Sequence, residues 1–197
     1  MAEPHERREL DRTLSLEIVR VTEATAIAAA KLRGRGDEAA ADQAAINAMY
    51  KELSRLPIHG VVVVGEGEEN EAPLLYIGET VGAGSSSGLE VDLAVDPVEG
   101  STLAAKSLPN ALAVMAIAER GSLLKVPPIY MEKVAIGPGY PQGLVDLDAA
   151  PAENLAAVAK AKGVSVSEIT ACILDRPRHA KLIEEVRSAG AAVRLIG

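Results

Sequence analysis

Four acidic residues and a serine hold the chemistry available to this sequence. Asp96 and Glu99 lie in Asp96-Pro97-Val98-Glu99-Gly100-Ser101, directly after the alternating run Val91 to Val95. Glu66 lies in Gly65-Glu66-Gly67-Glu68-Glu69, directly after Val61-Val62-Val63-Val64. Asp42 falls one turn back from Ile46 on a helical stripe that continues through Met49, Leu53 and Leu56. Acids delivered at the ends of elements, with no His or Cys at ligand spacing, select hard Mg²⁺ or Mn²⁺ ions over zinc. A pair of such ions about 3.5–4 Å apart activates water and stabilises the leaving oxygen of a phosphate ester. Gly100 lets backbone approach an anion, and the Ser101 hydroxyl suits orienting a water. Each group also has an ordinary structural reading. Asp42 near a helix start is favoured by the macrodipole. Gly65 to Glu69 reads equally as an exposed acidic turn, Asp96 to Glu99 as a Pro-initiated turn with solvated acids, and Ser101 as a helix cap.

Two further stretches bear on an anionic ligand. Arg176-Pro177-Arg178-His179 follows a predicted strand and opens a predicted helix, so helix-start N–H groups and two Arg make either an anion site or a basic surface turn. Tyr130 offers a phenolic hydroxyl to phosphate or sugar, or fills a core. His179 reads as an exposed helix residue. No Gly-x-Ser-x-Gly elbow and no credible nucleophilic triad is present.

The elements that must position these groups follow from pattern and composition. The 197 residues are 48% hydrophobic, with four Tyr and no Phe or Trp, so the core is aliphatic. A formal net charge of -8 without a basic run argues against nucleic-acid binding and leaves an anionic small substrate open. Cys172 is the single cysteine, reads as a core thiol, and allows no disulfide within the chain. With no apolar stretch of signal or membrane length, the reading is a soluble cytoplasmic protein that does not engage a membrane. Met1 to Arg12 is charged and reads as loosely held. A helix is predicted over Leu16 to Arg33, its stripe being Leu16, Val19, Ala26, Ile27 and Ala30. A second runs from an Asp37 N-cap to about Leu56. Val61 to Val64 reads as a central strand and Leu74 to Ile77 as a short one. Gly82 to Gly88 reads as a flexible loop, and Val91 to Val95 as a strand ended by Pro97. Leu112 to Ala118, Lys125 to Tyr130 and Val134 to Ile136 follow as strands. Composition shifts near Asp146 to Pro151, giving domains 1–148 and 149–197. The second holds helices over Glu153 to Lys162 and Pro177 to Ser188, and strands over Ile169 to Leu174 and Ala192 to Ile196.

In order along nearly the whole chain, the sequence resembles class II fructose-1,6-bisphosphatases of the lithium-sensitive, metal-dependent phosphatase superfamily. The resemblance rests on Arg20-Val21-Thr22-Glu23-Ala24, Gly34-Arg35-Gly36-Asp37, and Asp42 with Ala45-Ile46-Asn47-Ala48-Met49. It continues through Gly65-Glu66-Gly67-Glu68, Glu71-Ala72-Pro73, Tyr76-Ile77-Gly78-Glu79 and Val95 to Gly100. Downstream it rests on Asn110 to Val114, Tyr130-Met131-Glu132-Lys133, Gly137-Pro138-Gly139 and Arg176 to His179. It implies an α/β fold, a layered sugar-phosphatase-like sandwich with a mixed sheet in the first domain and an incomplete second α/β domain.

For the site, the resemblance implies that Asp42 and Glu66 bind one divalent ion and Asp96 and Glu99 another, Mn²⁺ or Mg²⁺. It implies that Glu99, Gly100, Ser101, Tyr130, Arg176, Pro177 and Arg178 line a sugar-bisphosphate site. The implied reaction is attack of a metal-activated water on fructose 1,6-bisphosphate, in gluconeogenesis and glycerol metabolism, with Glu66 or Glu68 as base. Sedoheptulose 1,7-bisphosphate is an alternative substrate, and family members are expected to be homo-oligomers. Ser101 stands where the family usually has Thr, Glu38 where some relatives have Lys, and Asn70 where Asp is common. Family members continue beyond Gly197 with an Asp-Gly-Asp loop, so the chain is expected to be an N-terminal portion. A non-catalytic truncated remnant, or a half that needs a partner chain, is the rival expectation.

Overall fold

The computed structural model describes residues 14–84, 88–127 and 129–196, which fall into two compact units divided at 128/129. The expectation for Met1 to Arg12, and the tip of the Gly82 to Gly88 loop, lie outside the described residues. In the first unit, helices α1 (Ser15–Ala30) and α2 (Glu38–Leu53) pack on each other and against a four-stranded mixed sheet. Its strands are β1 (Ile58–Val64), β2 (Thr80–Val81), β3 (Leu89–Glu99) and β4 (Leu112–Glu119), in the order β2-β1-β3-β4. β1 and β3 are parallel, while β2 and β4 run antiparallel to their neighbours. The four-valine run makes β1 a central strand, as its lack of a polar face predicts. A five-residue helix, α3 (Ser101–Ala105), follows β3.

The core joins the helices to one sheet face through Leu14, Val21, Ile46, Met49, Leu53, Val62, Val91, Leu93 and Val95. α2 buries the predicted stripe, and Asp37 caps it by accepting from the Ala40 N–H at 2.9 Å. α1 does not bury its predicted stripe. Leu16, Val19 and Ile27 are exposed, whereas Val21, Thr25 and Ala29 are buried. The buried face is disguised because Thr25 occupies its centre and donates its hydroxyl proton to the Val21 carbonyl at 2.7 Å. The loop after α1 is tied to α3, Gly34 and Gly36 donating to the Ala104 and Ala105 carbonyls at 2.9 and 3.0 Å.

Several expectations are corrected. β3 runs through Pro97 to Glu99. The ladder register shifts there, so the missing proline N–H falls in a bulge rather than in a regular rung. Leu74 to Ile77 is a compact turn with Leu75 at φ 58, and no strand forms in 125–127 or 129–136.

The second unit, described by itself, pairs β5 (Thr170–Leu174) and β6 (Ala192–Ile196) in parallel. Helices α4 (Pro151–Lys162) and α5 (Ala180–Ser188) accompany them. Leu155, Ala159, Ile169, Val186 and Ala191 form its core. The predicted Pro177 to Ser188 helix divides into a 3₁₀ turn, Pro177–His179, and α5. Cys172 is exposed rather than buried, because Ala171 and Ile173 point to the core and Cys172 alternates to the opposite face. Mixed and parallel sheets with helices give the α/β layered architecture that the sequence suggests.

Candidate metal centre

The predicted acids lie just past the end of β1, in the last residues of β3 and near the start of α2. In a regular strand, residues three apart point to opposite faces, so Asp96 and Glu99 would diverge. Here Asp96 pairs with Val114 and Glu99 with Leu112, three steps on β3 against two on β4. The extra residue is a bulge, which returns both carboxyls to one side. Burial, the neighbouring Glu99 side chain and the Glu66 charge push the Asp96 carboxyl up to about 7. Glu66 is solvent-accessible at the rim, yet desolvation on its inner side and the Asp42 charge raise its carboxyl above the usual range. Asp42 accepts the Ser101 hydroxyl proton at 2.7 Å, a contact between residues 59 apart in sequence. Ser101 also reaches the Val98 carbonyl at 3.3 Å. Gly100, at φ 92, precedes α3, so Ser101 is the first helical residue and its side chain caps no backbone N–H.

Asp42, Glu66, Asp96, Glu99 and Ser101 are linked pair by pair, through charge or a hydrogen bond. Like charges in partial burial disfavour full ionisation, which a divalent cation reverses by stabilising the carboxylates. The donors are all oxygens, which suits a hard ion. The acids meet in pairs: among the described residues, no three His, Cys, Asp or Glu side chains converge as a metal-holding group. Glu68 is exposed, and its backbone N–H contacts the Glu71 carboxylate at 3.3 Å.

Glu66 is held from behind by a turn that sequence pattern alone does not single out. Its N–H donates to the Leu75 carbonyl at 3.0 Å, and Ile77 N–H donates to the Gly67 carbonyl at 2.9 Å. The Leu75 N–H donates to the buried Glu79 carboxylate. Gly65 fits because any Cβ there would lie 2.0 Å from the Leu75 oxygen.

Within the second unit, the Arg178 guanidinium stacks 4.3 Å from the ring centroid of Tyr130, which is 85% exposed and fills no core. Arg176 caps the 3₁₀ turn begun by Pro177 and donates to the Asp175 carbonyl at 3.0 Å. The half-buried His179 places Nδ1 2.9 Å from the Leu174 carbonyl, so it fastens the end of β5 rather than standing exposed on a helix. Among the described residues, no helix is long and apolar enough to cross a membrane.

Residues 12–197 match the family model described as bacterial fructose-1,6-bisphosphatase, glpX-encoded. The chain is 45% identical over 197 residues to a D-fructose 1,6-bisphosphatase class 2/sedoheptulose 1,7-bisphosphatase of Synechococcus sp. (strain JA-3-3Ab), covering 95% of this chain and 56% of that protein. It is 48% identical over 182 residues to fructose-1,6-bisphosphatase 1 class 2 of Escherichia coli (strain K12), covering 92% and 53%. The chain thus spans about half the length of the curated relatives it matches.

Proposed function

We propose, from the premise that this chain belongs to the bacterial fructose-1,6-bisphosphatase family encoded by glpX, that it supplies the metal-binding part of a fructose-1,6-bisphosphatase. The reaction is hydrolysis of fructose 1,6-bisphosphate to fructose 6-phosphate and phosphate, in gluconeogenesis and in the cytoplasm. Asp42 and Glu66 would hold one divalent ion, Asp96 and Glu99 a second, with Mn²⁺ or Mg²⁺ as the candidates. When bound, such ions supply Lewis acidity and lower the pKa of water. The rest falls to side chains of this chain. Ser101 commits its proton to Asp42, so its oxygen accepts from a nearby water and orients it. Glu66, whose carboxyl is raised by burial and by Asp42, is the better-placed proton acceptor, with Glu68 the alternative. The backbone around Gly100 offers close approach to a phosphate. Tyr130, Arg176, Pro177 and Arg178 serve as a substrate-phosphate surface, where stacking on Tyr130 occupies the Arg178 face and leaves its in-plane donors for an anion.

The observation that carries this reading is the coupling of Asp96 to both Glu99 and Glu66, beside an Asp42 already bonded to Ser101. The test is phosphate release from fructose 1,6-bisphosphate with and without Mn²⁺ or Mg²⁺, for the chain and for D96A. Metal-dependent release that disappears in D96A is expected; release indifferent to metal or to D96A contradicts the assignment. Sedoheptulose 1,7-bisphosphate is the second substrate to assay, because the Synechococcus relative carries that activity in its name. Coverage of about half of each relative favours one further reading, a half-site that turns over only with additional polypeptide. Release seen only on adding the remaining part of a relative would select it.

A further inference from the structure

We propose that Glu79 is the positioning residue for Glu66, acting through the Leu75 turn to set where the Glu66 carboxylate meets a divalent cation. The inference rests on the reading of Glu66 as a metal ligand. Glu79 is a carboxylate only 9% exposed, with no charged side chain bonded to it among the described residues. A buried acid without an ionic partner costs stability unless hydrogen bonds repay it. Its carboxylate is taken up by the Leu75 N–H.

The connection onward is short and rigid. Leu75 is fully buried and sits at φ 58, a left-handed conformation that a branched side chain adopts only when its surroundings impose it. Its carbonyl accepts from the Glu66 N–H, and two residues later the Ile77 N–H donates to the Gly67 carbonyl. The 75–77 segment therefore brackets Glu66 on both sides. At its other end the turn is fixed to β1, since Gly78 N–H donates to the Val62 carbonyl at 2.8 Å and Val62 N–H donates to the Glu79 carbonyl at 2.9 Å. With its backbone anchored on the sheet, the Glu79 side chain reaches back four residues to hold Leu75 in its strained conformation. Losing the carboxylate frees the Leu75 turn, and with it the one backbone hydrogen bond that Glu66 donates. Glu79 touches neither metal nor substrate in this scheme.

The test is Mn²⁺ affinity of the chain, read by the loss of the free-ion electron paramagnetic resonance signal, for wild type, E79A, E79D, E79Q and E66Q. E79A removes the acceptor. E79D keeps the charge but is one methylene too short to reach Leu75. E79Q keeps a carbonyl oxygen for the Leu75 N–H. The expected result is a loss of about tenfold in affinity for E79A and E79D, with E79Q within about threefold of wild type. A role in general stability alone would lower the melting temperature without separating E79D from E79Q in Mn²⁺ affinity. If E79A does not fold, the E79D and E79Q pair decides. Wild-type affinity in E79D alongside a clear loss in E66Q overturns the positioning role and leaves the Glu66 assignment standing. Unchanged affinity in E66Q removes the Glu66 assignment, and the positioning role with it.

Discussion

Gly65 is where the geometry makes its sharpest demand, and G65A tests it. A Cβ at residue 65 would lie 2.0 Å from the Leu75 carbonyl oxygen and 2.7 Å from Val62 Cγ1, whereas ordinary contact begins near 3.4 Å. The nearer atom is backbone, so no rotamer change relieves the clash. The Leu75 carbonyl must withdraw by more than an ångström, about the distance that breaks its 3.0 Å bond from the Glu66 N–H. Overpacking of this kind costs about 1–3 kcal/mol, and the broken bond adds about 1 kcal/mol. We expect a total of about 2–4 kcal/mol. With a urea slope of about 2 kcal/mol per molar, the first unit should unfold about 1–2 M earlier. G137A is the control: a Cβ there meets nothing within 4 Å and the backbone needs no left-handed conformation. Urea titration of both variants by circular dichroism reads the difference. A G65A midpoint equal to that of wild type would refute the close approach of strand exit and turn, and with it the account of how Glu66 is held.

Three further perturbations have definite outcomes. Asp92 is 1% exposed and accepts from Gly121 and Leu123 N–H groups at 2.7 and 3.3 Å, with Arg120 Nε 3.6 Å away, so D92A should cost about 3 kcal/mol in urea unfolding and D92N less; a loss below about 1 kcal/mol would contradict a buried clasp. Burial raises the Glu79 carboxyl above its ordinary 4.5, so the native state keeps a proton that the unfolded chain releases. Stability contributed by that group is therefore present at low pH and lost as pH rises from 4.5 through the raised native value. E79Q should gain on wild type in unfolding free energy between pH 4 and pH 7, and a constant gap would refute the shift. Cys172 is exposed, so its thiol should react completely with a disulfide reagent in the native protein, and reaction only after unfolding would return it to a core.

What the sequence made legible was whatever depends on short-range pattern. The four valines of β1, the Asp37 cap and the Ile46 to Leu56 stripe all carry their signal within a few residues, and the structure keeps each of them. Acids at three element ends were likewise visible, and charge interactions link Glu66 with Asp42 and Asp96 with Glu99 and Glu66. What failed depends on distant partners. Pro97 read as a stop because a regular ladder rejects it, but the bulge that accommodates it is defined only against Val114 and Leu112. Asp92 carries no signal of its own within the strand, and Arg120 and Gly121, nearly thirty residues on, make it a buried anchor. Leu74 to Ile77 has strand composition, and only Glu79 and the Gly65 contact turn it into a compact bend. α1 misled for a third reason: its buried face is centred on a threonine, which hydrophobicity alone does not place inside.

The proposed function stands or falls on two ions bound between the start of α2 and the ends of β1 and β3. The most direct measurement is the number of Mn²⁺ ions bound per chain, by equilibrium titration with free Mn²⁺ read by electron paramagnetic resonance, for wild type, D42N and D96N. Two ions are expected in wild type, with each variant losing one or weakening it about tenfold or more. Binding of no ion by the folded chain, or a stoichiometry that neither substitution changes, would contradict it.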